Sequence, residues 1–143
     1  MPSLVGYVHA GLAKPADVLI LDSGGFSRLS SQTKTALALI RALSAAGLWP
    51  AVVPTMVLVE SLRGDAGRDA NANRFLKTCV IDAVVSPAVA RRAAELRRRA
   101  KVGSAVDALV VALAEPGGTV LTGDRADLEA LAAHARDVTI EVI

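Results

Sequence analysis

Four consecutive apolar residues, Val18-Leu19-Ile20-Leu21, stand between Asp17 and Asp22-Ser23-Gly24-Gly25. The run is short, rich in β-branched or aliphatic side chains, and apolar at every position rather than at alternate ones. A strand of that kind needs cover on both faces, which a parallel sheet sandwiched by helices provides. Ala51-Val52-Val53, Val80-Ile81 and Thr119-Val120-Leu121-Thr122 repeat the pattern further along. Helical signals fill the intervals. Thr33 to Ala46 places Leu37, Ile40 and Leu43 on one face and stops at Gly47; Thr55 caps a helix to about Leu62. Asn71 to Lys77 is a further helical piece, Pro87 opens a basic helix, and Ser104 caps an apolar one to about Leu113. Arg125 to Ala135 is rich in alanine, and Val138 to Ile143 reads as an edge strand. Strands alternating with helices predict an α/β fold: three layers, with a central, mainly parallel sheet.

The chain has 143 residues, which suits one domain with an adequate core. Residues 1–16 show no periodicity and end at Lys14-Pro15-Ala16, so the expected organisation is an N-terminal arm followed by a domain over 17–143. Alanine occurs 27 times while aromatics make up 3% of the chain, so close helix packing has to replace large rings. The single cysteine, Cys79, excludes an intramolecular disulfide and a thiolate zinc cluster. Its apolar neighbours predict a small buried hydrophobe. His9 and His134 are too few for the usual catalytic zinc site. No stretch approaches the roughly 20 apolar residues of a membrane span, and the N-terminus lacks a basic segment followed by an apolar run. The expectation is a reduced, cytoplasmic protein with no membrane contact.

Net charge is only +2, but its distribution is uneven. Ala88 to Lys101 holds six basic residues and one acid, for +5, which leaves −3 on the remainder. Val89, Ala93, Leu96 and Ala100 define a buried stripe on that helix. Glu95 can pair with Arg91, Arg98 or Arg99, the pattern of a solvated helix face. The surplus charge instead predicts that some of Arg91, Arg92, Arg98 and Arg99 contact a polyanion.

The acids in apolar settings carry the functional argument. Asp22 follows the first strand and Asp124 the late one; Glu60 follows Met56-Val57-Leu58-Val59, and Asp107 is enclosed by Ala105-Val106 and Ala108-Leu109. Each also has a local structural reading. Ser104-Ala105-Val106-Asp107 is a capping-box pattern. Asp124 suits an N-cap, Asp127 a first helical turn, Asp22 a turn, and Glu60 a wet helix face. Ligands bind such sheets beyond the carboxyl ends of the strands, near a topological switch point. Four carboxylates brought together there would repel unless a cation neutralised them. An oxygen-only ligand set suits Mg²⁺ or Mn²⁺ and charge stabilisation at a phosphoryl group.

The ordered set Leu21-Asp22-Ser23, Val59-Glu60, Asp107-Ala108-Leu109-Val110-Val111-Ala112 and Leu121-Thr122-Gly123-Asp124-Arg125-Ala126-Asp127-Leu128 resembles the PIN-domain nucleases, in particular the VapC-type toxins of bacterial toxin–antitoxin pairs. The resemblance spans about Val18 to Ile143. It implies a PIN-like fold and metal-dependent endonucleolytic cleavage of RNA. By carry-over, Asp22, Glu60, Asp107 and Asp124 form the acidic site, with Asp22, Asp107 and Asp124 on Mg²⁺ or Mn²⁺. Ser23, Thr122 and Asp127 become supporting polar residues. It also implies a homodimer and a small inhibitory antitoxin protein; the apolar Leu37, Ile40 and Leu43 face with Leu48-Trp49 is surface for such a partner. The sequence departs from the common pattern at Gly24-Gly25, which is expected to loosen the first helix, and in its N-terminal arm.

Other phosphoryl and nucleotide chemistries fit less well. An aspartyl phosphatase needs a second Asp where Gly24 stands, a phosphoacceptor receiver needs a lysine near a late strand end, and Gly24-Gly25 is not a dinucleotide fingerprint. The non-enzymatic alternative is a PIN-like module that binds RNA or protein without cutting it.

Overall fold

The structure is a computed structural model that describes residues 18–143; the arm expected over residues 1–16 lies outside the described residues. The chain runs β1 (Leu19–Leu21), α1 (Ser23–Leu29), α2 (Lys34–Ala45), β2 (Val52–Pro54), α3 (Thr55–Ser61), α4 (Ala70–Leu76), β3 (Val80–Asp82), α5 (Pro87–Ala100), α6 (Ala105–Ala114), β4 (Thr119–Thr122), α7 (Ala126–Ala132) and β5 (Thr139–Val142). The strands form one sheet in the order β3-β2-β1-β4-β5, and every pairing is parallel. The three-layer α/β expectation therefore holds.

Strand order decides where a ligand can sit. From β1 the chain builds outward through β2 to β3, then returns past β1 to lay down β4 and β5. The direction of travel reverses between β1 and β4, which opens a crevice at their carboxyl ends. Helices α1 to α3 pack together on one side, and α5 to α7 on the other; both α1 and α6 rest on β1 and β4.

Burial follows the apolar runs. Val18 to Leu21 are all within 2% of full burial, as a central strand covered twice must be. Helix α6 is apolar on nearly every side and buries Ala108, Val110, Val111, Ala112, Leu113 and Ala114. Each large side chain so enclosed contributes roughly 1.5–3 kcal/mol. The frequent alanines let α5 lie close to α6, with Ala93 and Leu96 turned inward.

Several local expectations change. Pro54, not Thr55, occupies the cap of α3, and no side chain bonds there. Helix α7 is shorter than the alanine-rich segment and is preceded by Arg125, again without a side-chain cap. On α2 only Ala36 is fully buried, and Leu37 stays 47% exposed. That helix packs on α1 rather than on a strand, so its apolar face is half covered. Cys79 is half-buried, and burial pushes its thiol up to about 11. Among the described residues, no helix is long and apolar enough to cross a membrane.

Candidate active site

Gly24 and Gly25, expected to loosen α1, instead let it dock. A Cβ on Gly24 would stand 2.7 Å from the Gly123 nitrogen, and one on Gly25 would collide with the Leu121 carbonyl. Both contacts are with backbone, which cannot step aside cheaply. Bare glycines thus allow the first turn of α1 to sit directly against the end of β4, and the helix is regular from Ser23 onward.

Asp22 is the hinge of this joint. It caps α1, with Oδ1 accepting from the Gly25 N–H at 2.8 Å. Its Oδ2 accepts from the Thr122 hydroxyl at 2.5 Å, one hundred residues away in sequence. Thr122 is fully buried as the last residue of β4, and its oxygen also accepts from the Asp124 N–H at 3.0 Å. One hydroxyl therefore ties the acid after β1 to the turn after β4. Asp22 itself is 8% exposed. Burial pushes its carboxyl above the usual aspartate range, and the nearby Asp107 charge pushes the same way. Hydrogen bonds from Gly25 and Thr122 oppose that rise without cancelling it.

Asp107 and Asp124 reach the same place from other elements. Asp107 Oδ2 accepts from the Ser104 N–H at 3.1 Å, and the Asp107 N–H donates to the Ser104 hydroxyl at 3.0 Å. This is the capping box expected from the sequence. Asp124 Oδ1 accepts from the Ala126 N–H at 3.3 Å and so supports the start of α7. Each spends one carboxylate oxygen on its own helix start.

Together these residues line a polar pocket of about 400 Å³: Asp22, Ser23, Gly24, Asp107, Thr122, Gly123, Asp124, Asp127 and Leu128. Among the described residues, four aspartates border it, and no lysine, arginine or histidine does. The pocket occupies the crevice between β1 and β4 that the strand order opens.

Glu60 is not brought there. It is exposed on α3, beside Val59, which is 83% exposed. Helix α3 begins directly after β2, one strand removed from the crevice, and turns this face to solvent. An all-oxygen donor set fits a hard divalent cation in kind. As the side chains stand, no three Asp, Glu, His or Cys among the described residues converge to hold a metal ion.

The basic helix divides into two parts, and of the four arginines among which polyanion contacts were expected, Arg92 is bound within the fold. Its guanidinium makes a bidentate pair with Glu115, Nε to Oε1 at 2.8 Å and Nη2 to Oε2 at 2.9 Å, and donates to the His134 carbonyl. It also meets Glu95 at 3.1 Å. Those partners occupy much of its donor capacity, and its side chain is 20% exposed. Arg99 pairs with Glu95 at 3.0 Å. Arg91 and Arg98 are exposed and make no ion pair among the described residues. Arg97, outside the predicted set, donates to the Gly103 carbonyl at 3.2 Å.

Two acids that the sequence reading passed over are structural. Glu115, at the far end of α6, is 5% exposed in its side chain. Burial alone would lift its carboxyl, but Arg92, the Arg136 N–H and the two guanidiniums hold it below the usual range. Asp69 accepts from the backbone N–H groups of Arg63, Gly64 and Asp65 and so shapes the loop after α3. Those hydrogen bonds, led by that of Arg63, lower its pKa. An Asp closing a Gly-rich polar loop was the available signal for it.

Compared with known proteins, the chain matches no family model and no curated protein.

Proposed function

We propose that this chain is a metal-dependent endoribonuclease that cleaves RNA phosphodiester bonds, the toxin of a toxin–antitoxin pair. The observation that carries the reading is the pocket at the β1–β4 crevice, bordered among the described residues by four aspartates and by no cationic side chain. Asp22, Asp107 and Asp124 would hold Mg²⁺ or Mn²⁺, which when bound supplies Lewis-acid stabilisation of charge on the phosphoryl group. The chain's own residues prepare for it. Thr122 fixes the Asp22 carboxylate, and Gly24 and Gly25 bring α1 against β4 so that carboxylates distant in sequence share one space. The Asp22 anion is costly in its buried setting, so a cation there is favoured. Asp127 and Ser23 supply further polar lining.

RNA is the substrate class in this reading, and of the four arginines expected to meet its phosphates, Arg91 and Arg98 are exposed and make no ion pair among the described residues. A second copy of the chain, a small inhibitory protein and a cytoplasmic setting come with the same reading. Light scattering across micromolar concentrations tests the dimer, and only monomer would remove it.

A non-catalytic PIN-like binding module is the second reading, favoured by the local caps that occupy Asp107 and Asp124. One experiment separates the two. Purified protein is incubated with mixed RNA in Mg²⁺ or Mn²⁺, with and without EDTA, beside the Asp22→Asn variant. Cleavage that needs the cation and Asp22 supports the nuclease. Binding without cleavage supports the module, and cleavage that persists in EDTA removes the metal from the proposal.

A further inference from the structure

Helix α5 lies antiparallel along α6, and two contacts fix how the pair is aligned. Arg92 meets Glu115, just past the last turn of α6, and Arg97 Nε donates to the Gly103 carbonyl, just before the first. Arg91 therefore stands at the Glu115 end, about 15 Å of helical rise from Lys101. The last cations of α5 stand at the other end, where Asp107 lines the acidic pocket. Lys101 is three residues ahead of Ser104, at most about 10 Å of extended chain, and Ser104 bonds directly to Asp107. The connecting loop is held against α7 as well. A Cβ on Gly103 would stand 2.8 Å from Leu131 Cδ1, one turn along from the pocket residue Leu128.

Lys101 ends α5 in a left-handed conformation, with φ 61° and ψ 11°. Glycine is the ordinary residue for such a stop, because a side chain is strained there. Nor does the helix need a fourth cation for its dipole, since Arg97, Arg98 and Arg99 already occupy its last turn. Lys101 is exposed and makes no ion pair among the described residues, and Arg98 shares both properties. Arg99 is paired with Glu95, and Arg125, beside Asp124, with Glu129 at 3.4 Å. We propose that Lys101 and Arg98 hold the backbone phosphates of the RNA strand that enters the acidic pocket, and that Arg91 lies outside this contact. The assignment rests on the RNA substrate of the proposed function. A pocket of about 400 Å³ is small. A strand seated in it continues across the rim, where the two cations answer its phosphates.

Labelled single-stranded RNA is titrated with the full chain between about 50 and 200 mM salt. Ca²⁺ serves as the hard divalent cation, and cleavage in Mg²⁺ is read in parallel. Lys101→Gly lowers the log–log slope of affinity against salt by about 0.7, the value of one phosphate contact on a single strand. Its melting temperature stays at or above the parent's, because the backbone there suits glycine. Lys101→Arg keeps the parent slope, and so does Arg91→Ala. An unchanged slope in Lys101→Gly overturns the proposal, as does an equal loss of slope in Arg91→Ala. A parent that binds no RNA overturns both this contact and the proposed function. The expected slopes from a parent that does not cleave in Mg²⁺ remove the nuclease and leave the contact standing.

Discussion

Asp107 stands in the first turn of α6 and Glu115 follows its last, about 12 Å of helical rise apart. Glu115 has an internal answer to its charge: a bidentate arginine, a backbone N–H and a second guanidinium. Asp107 faces the reverse situation, with Asp22, Asp124 and Asp127 around the same pocket and, among the described residues, no cation on its walls. The helix between them is among the most buried parts of the molecule. One end therefore holds the fold together, and the other assembles like charges that the fold does not neutralise. Asp22 is buried, Asp107 half-buried, and Asp124 and Asp127 exposed; repulsion retained beside the buried Asp22 is a cost that an external cation can remove.

The largest expected effect is on activity at the Asp107 end. Asp22→Asn and Asp107→Asn each lower Mg²⁺-dependent RNA cleavage by about 10²–10³-fold, the scale of losing one group that stabilises developing charge. Circular dichroism stays unchanged. Glu60→Gln, at an exposed position outside the pocket, has a much smaller effect. Undiminished cleavage in both aspartate variants would erase the contrast between the two ends.

At the Glu115 end the effect appears in stability. Glu115→Ala leaves Arg92 and the Arg136 N–H without their acceptor and costs about 2–3 kcal/mol in urea unfolding. Cleavage per folded molecule stays at the parent level. A double-mutant cycle with Arg92→Ala gives the coupling directly. Loss of cleavage with unchanged stability would mean that this end also belongs to the site.

The arginines sharpen the comparison through salt. Arg98→Ala reduces the log–log slope of RNA affinity against salt by about 0.7, one phosphate contact on a single strand. Arg92→Ala leaves that slope alone, because its guanidinium is committed to Glu115. Equal slopes in the two variants would dissolve the division of the basic helix.

The sequence was most informative where one local feature suffices. Short, largely apolar runs located the four inner strands, and Ser104-x-x-Asp107 specified its own cap. The meeting of Asp22 with Thr122 was legible only in outline. Two strands ending in acids implied a shared edge, but the hydroxyl bridge depends on β1 and β4 being neighbours. The Gly24-Gly25 reading erred because a glycine's worth there comes from what lies opposite, and Leu121 and Gly123 are distant in sequence. The pairing of Arg92 with Glu115 was hidden for the same reason. Its partner is 23 residues away, beyond any helical spacing rule.

The smallest effects test the signs of the two perturbed acids. Asp22 has a raised pKa, so the folded state holds its proton more tightly than the unfolded chain. Its contribution to stability therefore falls as pH rises above the ordinary value of 3.8. Glu115 is lowered, so its contribution is present above the ordinary 4.5 and is lost as pH falls toward its folded value. At pH 7 Asp22→Asn is then more stable than the parent and Glu115→Gln less stable, and both differences shrink as the solution is acidified. Mg²⁺ separates them further. A cation that binds only the folded parent at ten times its Kd adds about 1.4 kcal/mol. Glu115→Gln keeps that gain, whereas Asp22→Asn loses most of it. Thermal melts at pH 7 with and without Mg²⁺ read all three proteins in one series. An equal Mg²⁺ response in parent and Asp22→Asn would show that the uncompensated acids are not where the cation binds.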